Sequence, residues 1–142
     1  MSNTPDLAPV RNAQHRTLLI LMLAYGTASL LHFIHNAEFL RDYPGLPPSW
    51  TRAGIYLAWL GLTALGVFGW RTLSRGHRIA GSLVLACYAL LGLDSLGHYA
   101  VAPVSAHTPT MHMTILAEVS TATLVLVQAA KLFIEGIRDQ YP

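Results

Sequence analysis

Cysteine is nearly missing from this chain: Cys87 stands alone among 142 residues, so neither an intramolecular disulfide nor a cysteine-based zinc site can be assembled. Charge is scarce as well. Asp, Glu, Lys and Arg make up 11% of the residues, where a soluble domain carries about 25%. Hydrophobic residues reach 53% and the mean hydropathy is +0.43, which leaves too little polar surface to cover a water-soluble globule and excludes a soluble enzyme. The formal net charge of +2 excludes a nucleic-acid partner, which needs a dense field of Lys and Arg to displace counterions from phosphates. The length fits a single domain spanning residues 1–142.

The apolar residues are gathered into four stretches, roughly 17–40, 53–70, 79–101 and 110–133. A hydrocarbon core about 30 Å thick is crossed by about 20 helical residues rising about 1.5 Å each, so all four are expected to span a bilayer. The first outlasts the apolar run of a secretory signal, about 7–15 residues, and no small-residue cleavage site follows it. It is expected to remain in the mature protein. Proline- and glycine-bearing segments, DYPGLPPSW, RTLSRGHR and APVSAHTP, separate the stretches. Connections this short force neighbouring helices to run antiparallel. Small residues within the spans, among them Gly26, Gly61, Gly66, Gly69, Gly81 and Gly92, permit close helix approach in lipid. The prediction is an all-α integral membrane four-helix bundle, antiparallel and up-down-up-down.

Basic residues orient it. Arg11, Arg16, Arg71, Arg75, Arg78, Lys131 and Arg138 fall on one side of the bundle, against Arg41 and Arg52 on the other. The positive-inside rule makes the first side cytoplasmic, with both termini there. The second side then faces the periplasm of a bacterial inner membrane.

Ionisable residues within hydrocarbon cost about 2.5 kcal/mol or more apiece on insertion scales, yet this sequence concentrates them at one level. His32, His35 and Glu38 lie in the outer part of the first span, Asp94 and His98 in that of the third, and His112 and Glu118 in that of the fourth, with His107 in the outer loop. Counted inward from the helix ends, His32, Asp94 and Glu118 come out about 10–13 Å deep, and His35, Glu38, His98 and His112 about 3–9 Å deep. On a continuous α-helix His32, His35 and Glu38 share a stripe, and Asp94 and His98 project side by side. His112 and Glu118 diverge by about 120°.

Neutral imidazoles and ionised carboxylates are ligands for zinc, iron and copper, and the interiors of helix bundles are where facing helices assemble such sites. The expected ligands are His32, His35, His98, His112 and Asp94, with Asp94 and Glu118 also placed to serve as catalytic acid or base. Glu38 beside Arg41 reads as interfacial charge. Ser95 lies between Asp94 and His98 in sequence, but three neighbouring helical positions cannot give the sequential hydrogen bonds of a nucleophilic triad.

The leading expectation is therefore a small membrane-embedded metalloenzyme, a metal-dependent hydrolase or oxidoreductase acting on a lipid-like or small apolar substrate. Haem held by facing histidines, a metal carrier or sensor, and an accessory subunit of a larger membrane complex are the alternatives. A homo-oligomer is compatible with so small a bundle. In a Cys87→Ser background, Ser105→Cys should react with an impermeant maleimide on intact cells and Ser74→Cys should not; the reverse pattern inverts the orientation.

Overall fold

The computed structural model describes the backbone of residues 8–140 and the side chains of residues 13–140. Arg11, counted above on the cytoplasmic side, lies outside the described side chains. The chain is all-α. Four long helices dominate: α1 (Ala8–Glu38), α2 (Arg52–Ser74), α3 (Arg78–Leu93) and α5 (Pro109–Gln140), with a single-turn α4 (His98–Val101) between the last two. Segments Ala13–Glu38, Arg52–Ser74, Arg78–Val101 and Pro109–Gln140 are long and apolar enough to cross a membrane. Large side chains such as Leu23, Leu57, Phe68, Leu90 and Leu124 point outward and stay exposed in the isolated chain, as a lipid-facing surface requires.

Local chemistry sets the helix ends. Thr51 caps α2, its Oγ1 accepting from the Gly54 amide at 3.1 Å. Beyond the other end, Gly76 has φ +91° and its amide bonds to the Leu73 carbonyl, the left-handed stop that glycine adopts without a Cβ penalty. Gly45, at φ +76°, does a second job. A Cβ there would stand 2.6 Å from the carbonyl oxygen of Val101, so only glycine lets the loop after α1 close down over α4.

The helices meet along seams of small residues. α3 packs extensively on both α2 and α5, α1 packs on α5, and α1 against α2 is the loosest of the four contacts. Gly66 faces Tyr88, Gly69 faces Leu85, and Gly81 lies against the backbone of Leu73, pairings that run in opposite senses along α2 and α3. The core joins Leu18, Tyr25, Leu73, Leu85, Tyr88, Ala89, Ala122, Val125, Ala129 and Leu132. Tyr25 and Tyr88 pack with centroids 4.6 Å apart and ring planes tilted by 46°, and the Tyr25 hydroxyl donates to the Tyr88 carbonyl at 3.3 Å, which satisfies a phenol that would otherwise be orphaned. Near the chain termini Gln14 donates to Glu135 at 2.9 Å and Arg78 pairs with Glu135 and Asp139, tying α1, α3 and α5 together.

The third span is not one continuous α-helix. Asp94–Gly97 forms a 3-10 turn between α3 and α4. At about three residues per turn, four residues rotate a side chain by about 120° instead of bringing it back to the same face. Asp94 and His98, expected side by side, therefore do not share one straight α-helical face, although both line the same cavity.

Close packing at Gly81 yields a stability prediction. In Gly81→Ala the new Cβ lands 2.5 Å from the Leu73 nitrogen, and overpacking of that kind costs about 1–3 kcal/mol. Gly61 has nothing within 4 Å of its missing Cβ, so Gly61→Ala should be neutral or gain up to about 1 kcal/mol. Thermal unfolding in one detergent should rank Gly81→Ala well below both wild type and Gly61→Ala; an unchanged Gly81→Ala would refute the tight α2–α3 seam.

Candidate functional site

The polar residues gather at the end of the bundle formed by the C-terminal half of α1, the 3-10 turn, α4 and the start of α5. Glu118 is fully buried on α5, facing His32 of α1, with Nε2 to Oε2 at 3.7 Å. Ser95, in the 3-10 turn, donates to the same carboxylate oxygen at 2.6 Å. His98 follows, its ring centroid 5.3 Å from that of His32, and His107 lies 6.3 Å beyond His98. His112 ends the row, 5.8 Å from His107.

Hydrogen bonds fix the proton on two of these imidazoles. Asn36 Nδ2 donates to His32 Nε2 at 3.0 Å, so His32 carries its proton on Nδ1 and donates it to Thr114 Oγ1 at 3.2 Å. Thr114 passes its own hydroxyl proton to the Met111 carbonyl at 3.1 Å. His107 donates from Nδ1 to the Pro103 carbonyl at 3.1 Å, which leaves a lone pair on Nε2. That atom is buried and unpartnered, and so are His98 Nδ1, Glu118 Oε1 and Asn36 Oδ1. Native structures leave few such groups, because an unpaired buried polar atom costs about 1–3 kcal/mol.

The expected residues divide. His32, His98 and Glu118 do come together. His35 instead hydrogen-bonds the Tyr43 hydroxyl through Nδ1 at 2.7 Å, and His112 bonds the Tyr99 hydroxyl through Nδ1 at 2.8 Å. Asp94 is exposed, a consequence of the 3-10 turn, and lies at the rim of a cavity. Glu38 accepts from Tyr56 at 2.7 Å and pairs with Arg52 at 2.6 Å, an interfacial clasp between α1 and α2. Among the described residues no three His, Cys, Asp or Glu side chains already stand as a ligand cluster. His32, His35, His98, His112 and Asp94 therefore do not stand as one cluster among the described residues: tyrosine hydroxyls occupy Nδ1 of His35 and His112, and Asp94 is exposed.

Several members were not singled out from sequence. Asn36 carries no charge and so escaped a search for ionisable groups, although it stands one helical turn from His32. Tyr43 reads from sequence only as an interfacial aromatic, and Thr114 gives no signal. Ser95, set aside as a nucleophile, orients Glu118. His107 was placed in the outer loop, and the loop buries it.

Beside the row opens a cavity of about 440 Å³, lined by His32, Asn36, Asp94, Ser95 and His98 on one side and by apolar groups such as Phe33, Leu46, Trp50 and Ile55 on the other. It can seat a small molecule with one polar end. No family model matches the sequence, and no curated protein or solved structure matches it either.

Tyr43, in the loop outside the spans, is 4% exposed, and burial pushes its hydroxyl from 10.0 up to about 12. A folded-state value above the unfolded one stabilises the fold fully below pH 10 and loses that contribution as pH climbs towards 12. Stability in detergent should therefore fall more steeply between those values in wild type than in Tyr43→Phe. Parallel pH curves for the two proteins would contradict the burial of this hydroxyl.

Proposed function

We propose that this chain is an integral membrane metalloenzyme in which His98, His107 and Glu118, joined by His32, hold a transition-metal ion beside the cavity. One observation carries the reading: His98 Nδ1, His107 Nε2 and Glu118 Oε1, all ligand-type atoms, are buried without hydrogen-bond partners. His107 supports it further, since a metal-binding imidazole characteristically donates its other N–H to a carbonyl or carboxylate, as His107 does to Pro103. Spacing is favourable too. Two imidazoles sharing a tetrahedral ion with bonds of about 2.1 Å have centroids about 5 Å apart, and those of His32 and His98 are 5.3 Å apart. A metal at His32 Nε2 would take the lone pair that the Asn36 amide now occupies.

Imidazole and carboxylate suit zinc, iron and copper alike. Zinc would supply an activated water for ester or amide hydrolysis, and iron or copper would activate oxygen. Asp94, free at the cavity rim, is placed to take up a proton from a substrate or water there. In this reading the bundle runs up-down-up-down with both termini in the cytoplasm, so the site faces the periplasm of a bacterial inner membrane. A carrier is less well supported. Below Glu118 the bundle is filled by Tyr25, Tyr88, Leu85, Ala122 and Val125, which offer no ladder of ionisable groups towards the other end.

Elemental analysis of the full chain, purified in detergent without added metal, tests the reading. Wild type and His77→Ala should retain stoichiometric zinc, iron or copper, while Glu118→Gln and His107→Ala should bind about 10- to 100-fold more weakly. Equal retention in all four proteins, or none in wild type, would sink the metal site. A Soret band would replace the ion with haem.

A further inference from the structure

A second cavity of about 360 Å³ lies along the same loose seam between α1 and α2, lined by Leu19, Leu23, Gly26, Trp59, Val67 and Trp70 among others. The two linings interlock in sequence: Phe33 and Ala58 belong to the first, and Leu30 and Trp59 to the second. Together they run along α1 from Asn36 to Leu19, a length of about 25 Å at about 1.5 Å per residue. The upper end is polar and the lower end almost wholly apolar.

Two unpartnered atoms mark what the seam recognises. Asn36, 6% exposed, presents a buried Oδ1 that lacks a donor. Trp59 presents a buried Nε1–H that lacks an acceptor. A ligand that satisfies both carries a hydroxyl at its head and an oxygen acceptor further along. Its charge is constrained as well. Neither lining contains Lys or Arg, and Asp94 stands at the rim, so in the metal-free protein a phosphate or carboxylate head meets repulsion and no basic counterion.

We propose that the α1–α2 seam binds one molecule of a neutral single-chain acyl lipid, with its hydroxylated head at Asn36, its carbonyl oxygen towards Trp59 and its tail beside Gly26. The inference deepens the metalloenzyme reading by naming the substrate class, because such a head lies against His32 and His98. Gly26 keeps the tail channel open. Its missing Cβ has nothing within 4 Å, so a larger side chain fills the groove without displacing a neighbour.

The test uses the full chain in nanodiscs with a diazirine analogue of monoolein, and a diazirine analogue of oleate as the anionic counterpart. The neutral probe should label α1 and α2 residues of the seam, be displaced by excess monoolein, and, in chelator-treated samples, label at least tenfold more than the oleate probe. Gly26→Leu should cut labelling at least tenfold, whereas Gly61→Leu, on an open face outside both linings, should not. Undiminished labelling in Gly26→Leu, equal labelling by oleate after chelator treatment, or protection of the seam by a second copy of the chain would each overturn the proposal. Metal content measured on the untreated samples separates the two readings: bound metal without seam labelling overturns the lipid alone, and seam labelling without metal upholds it while the metal reading fails.

Discussion

A fully buried carboxyl group organises this protein. Glu118 has no exposed surface, in a bundle whose helices are long and apolar enough to sit in hydrocarbon, and burying such a group demands compensation. One oxygen receives the Ser95 hydroxyl and faces His32. The other has no well-formed hydrogen bond, although the buried Ser29 hydroxyl lies close to the carboxylate. Three helical segments converge to supply these contacts, and they leave the carboxyl only partly satisfied.

The surrounding architecture brings that convergence about. Helix α3 stops at Leu93, and the following 3-10 turn carries Ser95 inward and Asp94 outward. Gly45 then lets the loop after α1 settle against Val101, which places buried Tyr43 within 5.0 Å, centroid to centroid, of His98. The loop before α5 folds His107 under as the third imidazole of the row. Each of these steps departs from regular helix, and departures of this sort are found at functional positions because only local contacts repay their cost. Beneath them the bundle is ordinary: glycine seams, a Leu, Val and Ala core, and an ion-pair cluster near the termini.

Composition made the four spans legible, since the length and continuity of apolar runs depend on local sequence alone. The fourth helix runs further than its apolar run, to Gln140, because Lys131, Glu135, Arg138 and Asp139 interrupt hydropathy without interrupting helix, and Arg78 and Gln14 engage two of them. The level of the site was legible for the same reason, as depth follows from residue count. Angular position was not. The side-by-side expectation for Asp94 and His98 assumed a continuous α-helix, and the 3-10 turn depends on packing against α5 that no local pattern announces. Burial of His107 and the tyrosine partners of His35 and His112 are likewise tertiary outcomes.

The central claim is that the unpartnered nitrogen and oxygen atoms around Glu118 form one metal site. Cobalt tests it most directly, because its visible d–d bands report both binding and geometry. Titration of the metal-depleted full chain with Co²⁺ in detergent should give intense bands of a low-coordinate nitrogen and oxygen site, saturating at a whole-number ratio of cobalt to protein. Weak absorption that grows in proportion to added cobalt, as from the hexaaqua ion, would contradict the account.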